Sequence, residues 1–223
     1  MEYQLIRAKR KTLAVHIDNT GQIIVKAPVN LSLAKINAFL AKKSDWIIKN
    51  QLKAKSLYQK YINLYTYSEI MYKGQILKSV FDDVKNIIII QDKVLIPKKY
   101  QSKERYNSLK KALKKFLILN AEKEFSKRLS DFKNLGFQYN SLNIINSKTR
   151  WGICDSNKNI GLNFRAVMLP DCLIDYLILH ELSHTIEFNH SKKFWKIVQT
   201  YIPDYKELKK ILKNYSFLQE LFR

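Results

Sequence analysis

Cysteine is almost missing from this chain. Cys154 and Cys172 are the only two in 223 residues and do not form a CxxC pair, which excludes a disulfide framework. Both read as small, core-facing residues. Glycine and proline are also scarce, five and four, while 46% of the residues are hydrophobic. That balance excludes a disordered or low-complexity chain and predicts a packed globular one. No apolar run approaches the ~18 residues that span a bilayer. The stretch 1–11 is polar and basic with no apolar segment behind it, so no membrane association is expected and the cytoplasm is the expected compartment. Acidic residues are few, 19 against 40 basic, giving a net charge of +21. This admits nucleic acid as a partner. Arginine is rare too, however: seven of the basic residues, against 33 lysines spread from end to end. Specific phosphate and base readout leans on arginine forks, so a solvated lysine surface is the competing explanation.

The residues that are present predict an α+β chain. Leu13, Val15 and Ile17 alternate ahead of the turn residues Asp18–Gly21. Ile23 and Val25 follow, and Pro28 closes a hairpin. Ser32 is placed to cap one helix carrying Leu33, Ile36, Leu40 and Ile47 on one face. A second β-rich stretch holds Ile87–Ile90 and Val94–Ile96. A long amphipathic helix then runs from about Ser102 through Leu109, Leu113, Phe125 and Phe132 to a stop at Leu135-Gly136. Ile144–Ile145 and Ile160–Arg165 read as short strands. The boundary expected from this pattern separates a β-rich region with one helix (1–98) from a second domain (99–223), with one continuous domain as the alternative.

Pro170 and Asp171 open a helix with almost no polar face: Leu173, Ile174, Leu177, Ile178, Leu179 and Leu182. Within it lies His180-Glu181-Leu182-Ser183-His184. Residues four apart share a helical face, so both imidazoles can point at one ion. Glu181, about 100° round the helix from His180, can reach a bound water rather than the metal. The motif is short, but only four histidines exist and three fall between 180 and 190. Unliganded imidazoles and a carboxylate would be costly to bury in such a helix. The third ligand is expected to be His190, provided the chain turns at Asn189 and a new helix starts at Ser191, through Phe194, Trp195 and Val198. Glu187, at i+3 from His184, is the alternative. His16 reads as an ordinary strand residue.

The blocks Lys148–Cys154, Ile160–Arg165, Leu169-Pro170, Ile174–Tyr176, His180–His184 and Asn189–Ser191 with Phe194-Trp195 resemble the YgjP-like metallopeptidase family, zincins related more loosely to SprT-like proteases. Fainter similarity extends to Ala27-Pro28, Trp46-Ile47 and Tyr72–Gly74. The resemblance implies a zincin-like catalytic domain, its active-site helix packed on a small sheet, with zinc on His180, His184 and His190 and Glu181 catalytic. Ile153 and Asp155 depart from the family's usual serines. The histidine spacing equals that of metzincins, but Glu187 stands where they have glycine and no Met-turn follows, so membership there is rejected. The expected function is hydrolysis of a peptide or protein substrate by a Glu-activated, zinc-bound water. The strand Ile160–Asn163 is the expected docking edge, and Asn163, Arg165 and Tyr201 are candidates for substrate or oxyanion contacts. Two other classes compete. One is a metal-dependent nucleotide pyrophosphohydrolase, although no Gly-rich loop or carboxylate magnesium site is visible. The other is a nucleic-acid-associated zinc protein without activity, in which Glu181 would have no task.

Overall fold

The computed structural model describes residues 1–222, which fall into two compact units, Met1–Ile62 and Asn63–Arg223. This division lies well before the 98/99 boundary expected from sequence. The reason is that the second β-rich stretch packs on elements of the C-terminal unit.

In the N-terminal unit, β1 (Gln4–Ala8) pairs parallel with β3 (Ile23–Pro28), and β2 (Ala14–Ile17) pairs with β3 from the other side, antiparallel. The predicted hairpin is present. The Asp18 carboxylate accepts from the backbone N–H groups of Thr20 and Gln22 (3.0 and 2.8 Å), and Gly21 takes a positive φ of 87°. The predicted single helix is two, α1 (Leu33–Lys42) and α2 (Ser44–Lys60), broken at Lys43. Its apolar spacing suits one helix, but Ser44-Asp45 restarts the chain with residues that favour a helix N-terminus. Ile23, Val25, Ala27, Ile36, Leu40 and Ile47 form the core. A one-turn helix, α3 (Ile62–Tyr65), spans the junction.

The C-terminal unit holds two sheets. The first has order β4-β5-β7-β6: β4 (Glu69–Tyr72), β5 (Gln75–Asp82), β6 (Ile88–Ile90) and β7 (Lys93–Pro97). The β4–β5 turn, Lys73-Gly74, has positive φ at both residues, the geometry of a two-residue hairpin turn. Its two N–H groups donate to Val167 and Met168 (2.9 and 3.0 Å). The long helix α4 (Tyr106–Lys133) buries Leu109, Leu113, Leu117, Ala121, Phe125 and Leu129, and Gly136 (φ 92°) follows its end as predicted. The second sheet joins β8 (Ser141–Ile145), β9 (Gly152–Cys154) and β10 (Asn159–Asn163) in the order β8-β10-β9.

Two expectations need correcting here. β10 is the middle strand, hydrogen-bonded on both sides, so it offers no edge to a substrate; the free edges belong to β8 and β9. The strand also stops at Asn163. Phe164–Met168 is a buried 3-10 helix capped by the Asn163 side chain, which accepts from the Arg165 N–H at 3.2 Å. A third expectation also changes, since neither cysteine is a core residue: Cys172 is exposed and Cys154 is half-buried.

The buried helix α5 (Asp171–His184) packs on β9 and β10, then α6 (Lys192–Tyr201), α7 (Tyr205–Leu212) and a 3-10 segment (Lys213–Glu220) complete the unit. The fold is mixed α+β, as expected. No helix among the described residues is long and apolar enough to cross a membrane.

Candidate metal centre

His180 and His184 stand one turn apart near the C-terminal end of α5. After Thr185 the helix ends, and Ser191 starts α6 by accepting the Phe194 N–H on its hydroxyl (3.3 Å). The chain therefore leaves the helix at Thr185, ahead of the break expected at Asn189, which takes no positive φ, and His190 comes back over the other two rings. One ligand nitrogen from each of His180, His184 and His190 lies within 4.8 Å of the others. The ring of Phe194, fully buried, supports all three from 4.4 to 4.9 Å. Trp195 stacks on His190 at 5.5 Å.

Three details bear on whether this cluster suits a metal. The Nδ1 of His184 lies 3.1 Å from the Glu187 carbonyl and donates to it, which leaves Nε2 free to act as a ligand. The Nε2 atoms of His180 and His190 face each other at 3.0 Å. Two ~2.05 Å bonds at a tetrahedral angle to a shared zinc would hold them about 3.3 Å apart. Burial, then the neighbouring His184 and His190 and the Lys209 charge, push His180 down to about 3, so its ring is neutral and keeps a lone pair to donate. His190 is lowered as well, by burial first and then by His184 and Lys209. Three converging imidazole nitrogens with one tautomer fixed from outside are the chemistry of a divalent metal site, and the residues present fit one. Glu187 is not part of the cluster. It contributes its carbonyl to His184, and its carboxylate lies 4.0 Å from Lys193.

Glu181 is 5% exposed, and burial alone raises its carboxyl to about 8. It lies against Gly152 of β9, so closely that a Cβ there would sit 2.6 Å from the Glu181 Cδ. Cys154 feels the same carboxylate: burial first, then Glu181 and Asp155, push its thiol up to about 11. A cavity of about 400 Å³ opens beside His180 and Glu181, with Arg150, Trp151, Tyr176 and Lys209 among its walls.

The family model for the YgjP-like metallopeptidase domain matches residues 11–215. The chain belongs to this family. Membership in the YgjP-like family points to a metal-dependent peptidase, and the three-histidine cluster is where such a metal can be held. No curated protein and no solved structure matches the chain significantly.

The other residues singled out from sequence lie elsewhere in this YgjP-like chain. Asn163 is fully buried, and its amide donates to the Ser147 and Arg150 carbonyls (2.7 and 2.9 Å), bracing the loop ahead of β9. Arg165 is 1% exposed and donates to the Leu221 carbonyl (2.7 Å) and the Asn146 side chain (2.9 Å). Tyr201 sits at the end of α6 with its ring 5.1 Å from Phe137. None of the three lines the cavity. The sequence reading missed several residues that do. Gly152 had appeared only as part of a matched block, and Lys209, Lys213 and Gln219 follow the last recognisable motif with no local signature of their own.

Proposed function

We propose that this chain is a zinc-dependent peptidase in which His180, His184 and His190 hold the metal and Glu181 is the general base. The observation that carries the reading is the pairing of a three-nitrogen cluster with a buried carboxylate on the adjacent residue of the same helix. Zinc bound there would polarise a substrate carbonyl and acidify a water molecule. Glu181 would accept the proton from the attacking water and return it to the leaving amine, its carboxylate aimed by contact with Gly152. The Glu187 carbonyl would keep His184 in the tautomer that ligates. An extended peptide could add to the unpaired side of β9, whose other side is taken by β10, and so pass beside Glu181. A helix carrying the candidate ligands, packed on a small sheet with a free edge strand, supports reading this unit as zincin-like.

The test uses three variants, with metal content and peptide hydrolysis measured in parallel. Glu181→Gln should retain zinc and lose at least about a hundredfold in hydrolysis. His190→Ala should lose most of its zinc, whereas Glu187→Ala should keep it. Hydrolysis that is unchanged in Glu181→Gln would overturn the mechanism, and zinc lost from Glu187→Ala instead of His190→Ala would overturn the ligand set.

A further inference from the structure

The cavity beside the metal cluster carries a charge pattern that neither zinc binding nor general-base chemistry requires. Three cations line it, Arg150, Lys209 and Lys213, against a single carboxylate, Glu181. Among the described residues none of the three forms an ion pair, although Lys73, Arg128, Lys193 and Lys210 elsewhere in the C-terminal unit all have acidic partners. Lys209 is held in place by its own stack: its Nζ lies 4.4 Å from the centre of the Trp195 ring, which in turn stacks on Tyr205 (5.0 Å, 13°). Trp195 also stacks on His190, so this ammonium is positioned through the same ring that supports a candidate ligand.

A second observation is independent of the lysines. Gln219, from the C-terminal 3-10 segment, is 9% exposed and lines the cavity. Its side-chain Nε2 has no hydrogen-bond partner among the described residues. An orphaned buried donor costs roughly 1–3 kcal/mol, which is retained where a ligand supplies the acceptor. Gln219 also lies beyond the residues matched by the family model, which end at 215.

From these two observations we infer that the cavity is a carboxylate-binding subsite. In this assignment Lys209 and Lys213 supply the charge and Gln219 supplies a directed N–H donor, so that the enzyme selects peptides carrying a carboxylate close to the cleaved bond. The carboxylate is either that of an aspartate or glutamate side chain or a free C-terminus. The choice of carboxylate rather than a polyphosphate rests on the donor set: one amide, two single-point ammonium groups and one guanidinium, Arg150, that can fork onto a carboxylate suit a single planar anion. The cavity also has no Gly-rich loop to cradle a phosphate chain. The inference rests on the peptidase reading for the direction of substrate entry.

Binding and cleavage should be read separately. Fluorescence anisotropy of zinc-loaded Glu181→Gln protein would be measured with alanine-rich labelled peptides that differ only in one Glu or Gln, each with a free or amidated C-terminus. The peptide with a carboxylate should bind about tenfold or more tightly than its neutral match, the strength of a charge-assisted contact. If the side chain is read, amidation leaves the difference intact; if the terminus is read, amidation removes it. The difference should collapse in Lys209→Met/Lys213→Met and shrink in Gln219→Leu, with zinc content unchanged. Lys213→Glu, a surface change that spares the core, should shift preference toward a lysine-containing peptide. Equal binding of all four peptides, or a preference that survives the double lysine variant, would overturn the subsite. So would nucleoside triphosphate displacing every peptide and being hydrolysed by the wild-type chain in their place. Carboxylate-selective binding without any peptide cleavage by wild type would sink the peptidase reading and leave the subsite standing; cleavage indifferent to the carboxylate would do the reverse.

Discussion

Gly152 has no side chain, and the space this leaves is taken by the Glu181 carboxylate. A Cβ at 152 would come within 2.6 Å of both Cγ and Cδ of Glu181, closer than real Cβ contacts, and only the cavity beside Glu181 leaves the carboxylate room to move. Alanine must therefore move the carboxylate, the strand, or both. A displacement of about 1 Å in a catalytic group costs on the order of a hundredfold in rate. Gly152→Ala should thus lose about that much in kcat/KM while retaining zinc, because the atoms nearest to the added Cβ belong to Glu181 and not to a histidine. Gly161→Ala in the neighbouring strand is the control. Its Cβ would meet Ile153 and Ile145 side chains and not Glu181, so it should lower thermal stability and spare kcat in the protein that remains folded. Full activity in Gly152→Ala would show that Glu181 is not held by this contact.

Between elements, Arg128 on α4 ties together pieces that are far apart in sequence. Its guanidinium pairs with Glu124 on its own helix and with Asp171 and Asp175 on α5, and Lys73 from the β4–β5 turn joins through Glu124 (3.2 Å) and Asp171 (3.3 Å). Although burial pushes Glu124 up, its hydrogen bonds and charge contacts with Arg128 and Lys73 win and hold its carboxyl below the usual value of 4.5. A carboxyl depressed in the folded state stabilises fully above about 4.5, and that contribution is lost as pH falls through the lower folded value. Arg128→Met should cost about 1–3 kcal/mol at pH 7, less than for a fully buried pair because Asp171 and Asp175 remain in contact with water. It should also flatten the acid limb of the stability curve, measured by urea denaturation between pH 3 and 7; an unchanged limb would show that Glu124 owes its shift to something else. Such long-range ties explain which elements were legible in sequence. α5 and α6 announce themselves through an apolar run, the histidine spacing and the Ser191 cap, all local. β9 is three residues, Gly-Ile-Cys, whose one apolar side chain points outward at 36% exposure, so no alternation marks it. β5 is held by pairing with β4 on one side and β7 on the other rather than by its own pattern. The same distinction runs through the site. His180, Glu181, His184 and His190 share one helix and its turn, whereas Lys209, Lys213 and Gln219 reach the cavity only through tertiary packing. Asn163 and Arg165 drew attention as polar residues at a strand end, yet their donors are consumed in holding the 146–150 loop and the C-terminal segment.

Over the whole molecule, charge and cooperativity divide along the same boundary. Residues 1–62 hold 12 basic side chains against three acidic ones, a higher density of net charge than the 28 against 16 in the remainder. Lysines spread over a surface attract polyanions without reading them, so any DNA binding should be sequence-independent. It should also weaken linearly in log–log terms as salt rises. A preference above about tenfold for one sequence at 0.15 M salt would contradict this. The N-terminal unit has its own core of Ile23, Val25, Ala27, Ile36, Leu40 and Ile47, drawn entirely from its own sheet and helices. Every residue of the metal cluster belongs to the other unit, where the short turn between α5 and α6 presents His190. A metal that binds the folded C-terminal unit and not the unfolded chain stabilises that unit by RT ln(1 + [metal]/Kd), roughly 4 kcal/mol at a thousandfold excess over Kd. Calorimetry of the zinc-loaded chain should therefore resolve two transitions. A chelator should lower one by several degrees and leave the other in place, and restoring zinc should reverse the shift. His190→Ala should melt like the chelated protein and ignore the chelator, because the third nitrogen is what joins the turn to α5 through the metal. Equal movement of both transitions would mean that the two cores unfold as one cooperative body, and a chelator without effect would mean that the histidine cluster holds no metal in solution.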